Sequence, residues 1–360
     1  MQKYLFTALL FVLPFFVGAQ DVKDLIKTGI QLHDAGDFKG AIAKYEEALK
    51  LDAKSPNALF EIANTYVALE EYKKALKYVE KGLDLKSGIQ GDFYMLKGTA
   101  LDMMEKPKDA IKAYQEGIKA EPDMQLLYFN LGVTYGRQQQ FKEAEAMLIE
   151  SIKRKPSHPG SHYVLGQIAF ARNQKTKALM AYENFLLLEN KTERAITAAD
   201  RVYKILEPEK NETGGFNINI TMNKDDIDDI SMADMMIGMF AIVKKGIAKS
   251  QKDSAKVVSY SMDSLQAEVD TVQTKAAGFA EQNGNILKYF GEAKEKHKSF
   301  WWTYYGDFYG KLAKAGHAET FSYYISKPRK DKNVTEWLKK NGTKIESFAE
   351  WLKTYEFNTK

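Results

Sequence analysis

The chain has 360 residues, 44% of them hydrophobic and 28% charged, with a formal net charge of +4 and no cysteine. That length leaves room for two domains with ample core, and the lack of cysteine excludes disulfides, thiol catalysis and a lipid-attachment cysteine. Charges of both signs are interleaved, as on a solvated surface and unlike a nucleic-acid footprint; the one dense basic run, Lys327–Lys332, reads as a loop.

At the start, Lys3 precedes a 14-residue apolar run, Tyr4–Val17, which ends in Val17-Gly18-Ala19. This order predicts a secretory signal peptide over residues 1–19, with cleavage leaving Gln20 first. The run is shorter than the roughly 20 residues of a membrane span. An exported protein is expected, periplasmic or secreted, with no integral membrane segment after cleavage.

From Val22 to Thr192 one pattern occurs five times at a spacing of 34 or 35 residues. A small residue is followed twelve positions later by alanine: Gly29 and Ala41, Ala63 and Ala75, Gly98 and Ala110, Gly132 and Ala144, Gly166 and Ala178. Each unit reads as two short amphipathic helices, A and B, that cross where side chains are smallest. A large residue follows each alanine by four: Tyr45, Val79, Tyr114, Leu148 and Tyr182. It is expected to fill the space between neighbouring units. The units are predicted at 22–55, 56–90, 91–124, 125–158 and 159–192, with a capping helix at 193–207.

The period and the small-residue pairing resemble the tetratricopeptide (TPR) repeat. Its pattern W-x2-L-G-x2-Y, A-x3-F, A, P is echoed at Leu25, Leu59, Tyr94, Tyr128 and His162, at Tyr66 and Tyr135, and at Pro122 and Pro156. The resemblance covers about half the chain. It implies an all-α fold, a TPR α-solenoid whose concave groove holds a protein partner. Carried over residue by residue, the groove positions are Phe60 and Asn64, Met95 and Thr99, Phe129 and Val133, and Tyr163 and Gln167. That is a mostly apolar groove with a few amides. The basic and Asn residues with which some TPR domains clamp a carboxylate would fall at Ile26, Ile30, Glu61, Asp92 and Leu96, and none matches.

Pro208 and the run that follows break the helical pattern, and 208–223 is predicted as a linker. Within it Phe216, Ile218, Ile220 and Met222 alternate with polar residues, the period of one short strand. A C-terminal α-helical domain is predicted at 224–360. Ser231 and Asp234 suggest a helix start. The acidic run Asp225–Asp229 lacks the order of a calcium loop, and Met232, Met235, Met236 and Met239 read as core before copper ligands. Three Asp-Ser/Thr-apolar triplets, from Asp253, Asp263 and Asp270, look like O-glycosylation acceptors of some exported proteins.

Phe300–Tyr309 is the most aromatic segment, and Trp301, Tyr304, Tyr305 and Phe308 share one helical face. Core is the first reading. The second is a partly exposed aromatic patch at Trp301, Trp302 and Tyr305 that stacks on sugar or anchors a partner. At the end, Gly342 is expected to cap one short helix, and Thr343 with Glu346 to box the start of another. No catalytic constellation stands out: there is no G-x-S-x-G elbow and no P-loop, and His158 and His162 are not placed as metal ligands. No cofactor and no metal are expected. The reading is a non-enzymatic scaffold or adaptor in the bacterial cell envelope. The alternative is a glycan-binding protein that uses the aromatic segment, which resembles in outline outer-membrane sugar-binding proteins with TPR units.

Overall fold

A computed structural model describes residues 13–207, 209–210, 216–217, 233–234, 237 and 275–357. The acidic run, the four methionines, Ser231 and the three glycosylation triplets lie outside these residues, as do residues 1–12 of the signal sequence. The chain divides into two compact units, residues 1–154 and 155–360.

The first unit is four helix pairs in chain order: α1 (Leu13–Asp34) with α2 (Phe38–Leu51), α3 (Pro56–Ala68) with α4 (Tyr72–Asp84), α5 (Gln90–Met103) with α6 (Pro107–Ala120), and α7 (Gln125–Arg137) with α8 (Phe141–Arg154). Asp37 and Ser55 cap α2 and α3 by accepting from Gly40 N–H at 3.0 Å and Ala58 N–H at 3.4 Å. Pro56 and Pro107 stand in first turns, where a missing N–H costs nothing.

The small positions serve tight ring packing within each pair. A Cβ on Gly29 would lie 2.3 Å from Tyr45 Cε1, and one on Gly98 would lie 2.4 Å from Tyr114 Cε1. The large residue after each alanine therefore covers the glycine of its own pair, and Tyr45 also reaches Ile62 of the next pair. A second notch admits the following unit: Gly82 faces Phe93, and Gly117 faces Leu127.

Every A helix ends in the same way, seven residues past its small position. Gly36, Glu70, Glu105 and Gln139 have positive φ, between 58° and 82°. The next N–H then bonds back to a carbonyl five residues earlier, as from Asp37 to Leu32 and from Lys106 to Leu101, both at 2.9 Å. This is the left-handed cap that closes orphan helix carbonyls.

The second unit opens with the fifth pair, α9 (Pro159–Ala171) and α10 (Lys175–Leu188), then α11 (Glu193–Leu206). Asn173 takes the left-handed position here, at φ 57°. Two-residue strands β1 (Glu209–Lys210) and β2 (Phe216–Asn217) pair antiparallel. Of the short strand expected from Phe216 to Met222, Phe216–Asn217 is formed, and the remaining positions lie outside the described residues. Then come α12 (Lys275–Ala293), a π-helical turn (Trp301–Gly306), α13 (Asp307–Lys314), α14 (Ala318–Ser326), α15 (Lys332–Lys340) and α16 (Gly342–Thr354). Gly342 opens α16 and does not close α15, and no side chain caps the start of α16, so the expected capping box is not formed. Asp331 caps α15 instead, accepting from Asn333 N–H at 2.8 Å.

Helix α10 is buried on every side, from Thr176 to Leu186. One side packs on α9, and others meet α11, the π turn and α14. A helix with apolar residues all round needs such a cover.

Candidate functional site

In the first unit the A helices carry two kinds of apolar residue. Leu59, Ile62, Ala63, Phe93, Leu96, Leu127 and Leu131 are buried. Phe60, Asn64, Met95, Thr99, Phe129 and Val133, one helical step away, are only half-buried. In the second unit Tyr163 and Gln167 are half-buried beside buried Leu165 and Ile168. Each predicted groove position thus lies on a face that still meets solvent.

Between A helices the contacts alternate in chemistry. Thr65 and Thr134 occupy matching places, two residues past their small positions. Thr65 Oγ1 lies 2.9 Å from His33 Nδ1, and Thr134 Oγ1 donates to Asp102 Oδ2 at 2.8 Å, beside an Arg137–Asp102 ion pair. Burial raises the Glu61 carboxyl above its usual range, with Asp34 adding to it, and burial followed by Glu121 does the same for Asp92. Both acids occupy places where the resemblance would put the basic and Asn residues of a carboxylate clamp, and that clamp is not formed here.

The second unit's aromatic segment is core. Trp301 is 3% exposed, and Trp302 and Tyr305 are 0% exposed. The expectation of an exposed aromatic patch at these three residues is therefore corrected. The π turn widens the helix by one residue per turn and directs its rings inward on several sides. Phe357 then stacks on Tyr304 at 5.1 Å and on Phe308 at 5.2 Å, closing the cluster. Such a cluster offers no free ring face to a sugar.

The rings also tie these helices to α9 and α10. His162 is buried, its Nε2 is 2.8 Å from the Pro156 carbonyl and its Nδ1 is 2.7 Å from Tyr305 Oη. A carbonyl only accepts, so Nε2 carries the proton and Nδ1 accepts from the phenol. Burial holds the His162 pKa down to about 4, with the Pro156 carbonyl opposing and His158 adding. Tyr309 donates to the Met180 carbonyl at 2.7 Å, and Tyr203 and Phe279 stack with centroids 4.0 Å apart. His158 also works as a cap: its Nδ1 accepts from Ser161 N–H at 3.2 Å at the start of α9. Neither histidine is free for metal, and among the described residues no group of three His, Cys, Asp or Glu could hold an ion.

Sequence reasoning missed two polar features. Asp234 accepts from Thr176 N–H at 2.6 Å, so its carboxylate serves the start of α10. Glu183 is 0% exposed within the all-buried helix. Burial pushes its carboxyl up to about 8.

Two tetratricopeptide repeat family models match the chain, over residues 32–92 and 129–187. A TPR repeat-containing protein of Methanocaldococcus jannaschii, MJ1428, is 26% identical over 119 residues, which are 33% of this chain and 21% of that protein. Human tetratricopeptide repeat protein 6 is 25% identical over 151 residues, 40% of this chain and 27% of that protein. The chain thus spans about a quarter of the length of these relatives. Among solved structures, TTC0263, a thermophilic TPR protein of Thermus thermophilus, is similar with a TM-score of 0.44 at 20% identity, covering 50% of this chain and 98% of that one. The five-fold spacing, the repeated left-handed turns and the two matches agree: residues 32–92 and 129–187 of this chain carry tetratricopeptide repeats.

Proposed function

We propose that the protein is a scaffold that holds an apolar segment of a partner protein on the half-buried face of its A helices. The observation that carries this reading is the second apolar face itself. Phe60, Met95, Phe129 and Val133 remain solvent-accessible while their neighbours are sealed, and solvent-facing apolar area of this kind is stabilised by a partner. Asn64 supplies an amide for a bound backbone, while the Thr99 hydroxyl is taken by the Met95 carbonyl at 2.9 Å. We place the scaffold in the bacterial cell envelope, on the strength of the signal-like residues 1–19. No helix among the described residues is long and apolar enough to cross a membrane. The glycan-binding alternative has lost its surface, because Trp301, Trp302 and Tyr305 are buried.

The test is a crosslinking pull-down from the native envelope with the mature protein and with Phe129→Glu. A charge at the centre of the face is expected to abolish capture of the partner while the far-ultraviolet helical signal is unchanged. Equal capture by both proteins would sink the reading. Sequencing the N-terminus of the mature protein checks the location: Gln20 is the expected first residue.

A further inference from the structure

Glu183 is an ionisable group that no partner-binding role uses. It lies in the middle of α10, 0% exposed, and neither carboxylate oxygen meets a hydrogen-bond partner. The groups around it are neutral. From α12 comes Asn283, itself 0% exposed, whose Nδ2 donates to Ser322 Oγ of α14 at 3.1 Å. Ser322 passes its own proton to the Ala318 carbonyl at 2.8 Å, so the amide orientation is fixed and Asn283 Oδ1 is left without a donor. From α13 comes Tyr309, which donates to the Met180 carbonyl and stays a phenol because burial and Glu183 both oppose its ionisation. Tyr305 of the π turn is likewise held as a phenol by burial, with Tyr304 adding. Lys177, the one cation in the buried run of α10, directs its ammonium over the Trp301 ring at 5.3 Å. Among the described residues, no charged group of α9, α11 or α14 biases Glu183.

An unpaired carboxylate in such a place costs several kcal/mol, whereas the neutral acid supplies a donor where orphan acceptors stand. We propose that Glu183 is carried as the neutral acid and acts as a proton-held latch between α10 and the helices α12–α14, so that loss of its proton loosens those helices from the fifth repeat.

The sign follows from linkage. A glutamate released to solvent titrates near 4.5, and the latched one near 8. The closed state therefore binds more protons between those values, and its stability falls as pH rises through the window. His162 has the opposite sense, since its closed-state pKa of about 4 lies below the ordinary 6.5, but that effect is complete above 6.5. Burial raises the Asp234 carboxyl at the start of α10 as well, in the same sense, and Glu183 is the described carboxyl of this unit whose raised value, about 8, falls inside the range above 6.5.

The experiment is hydrogen exchange of the full chain between pH 6.5 and 9, read as protection relative to intrinsic rates, together with tryptophan emission. All four tryptophans, at 301, 302, 337 and 351, lie in this unit and report on it. In α12 and α14, protection is expected to fall about tenfold per pH unit and level off above about 8, roughly 30-fold in all, with a red shift in emission. Glu183→Gln, which keeps the shape and a donor, is expected to abolish the pH dependence and retain high protection. Should that variant fold poorly, Glu183→Met, uncharged and of similar volume, serves the same purpose. An unchanged pH profile in the uncharged variant, or a flat profile in the native chain, would overturn the proposal.

Discussion

At the scale of single residues, the repeat units depend on a few positions whose demands are steric. Glu105 shows this best. It closes α5 at φ 59°, where a side chain costs about 1 kcal/mol and glycine costs nothing. Glu105→Gly is expected to stabilise the chain by about 0.5–1 kcal/mol, the larger unfolded-state entropy of glycine offsetting part of the gain. Urea unfolding measures this; a loss of stability would mean that the Glu105 side chain holds the turn by contacts beyond its backbone. The turn carries its glycine signal at Gly36 and none at Glu70, Glu105 and Gln139, because hydrogen bonding around the turn imposes the left-handed conformation on residues that do not prefer it. His162 was legible as a packed position but not as the acceptor of Tyr305, since a contact across 143 residues has no local signature.

At the scale of elements, the helix pairs α1 to α10 and the following α11 were readable from period and punctuation, whereas the start of α1 was not: it lies at Leu13, ahead of the first unit expected from residue 22. Five copies of one pattern calibrate each other, and Pro56, Pro107 and Pro159 mark helix starts directly. The candidate face was readable for the same reason: Phe60, Met95, Phe129 and Tyr163 are one position in four units. The C-terminal helices have no second copy to calibrate them. The π turn and the start of α16 at Gly342 escaped because packing of large rings, not local propensity, decides them. Helix α10 did advertise its burial: Leu179, Met180, Leu186 and Phe185 surround it, whereas α4 and α6 keep polar outer faces. Among the C-terminal helices α12 and α13 cross at a pair of glycines, Gly291 and Gly310. A Cβ added at Gly310 would sit 2.4 Å from the Gly291 Cα, backbone against backbone. Gly310→Ala is expected to cost about 1–3 kcal/mol even though alanine favours a helix, because neither backbone can yield without unpacking the rings. Thermal unfolding checks it, and a neutral substitution would show that the crossing can open freely.

At the scale of the whole molecule, the fifth repeat and the C-terminal helices share one compact unit. In a simple solenoid each unit touches only its neighbours, and the last one ends in a polar cap. Here Phe185 stands where the preceding units carry Ala48, Gly82, Gly117 and Ser151, and the cover of α10 comes from residues more than a hundred positions later. A chain ending after Glu207 would leave that cover off. It is expected to bind the dye ANS, to melt at a lower temperature than the full chain and to aggregate on concentration. Equal melting temperatures for the two chains would mean that α11 alone seals the repeats.

The burial of α10 also sets a schedule for synthesis. The helix is complete when Leu188 leaves the ribosome, yet α14, which covers part of it, ends at Ser326, 138 residues later. At about 5–20 residues per second that interval is roughly 7–28 s. For that time a nascent chain displays an apolar helix with a carboxylic acid in its middle. Until that cover arrives Glu183 is free to ionise; on docking, the same group takes up a proton and the charge disappears.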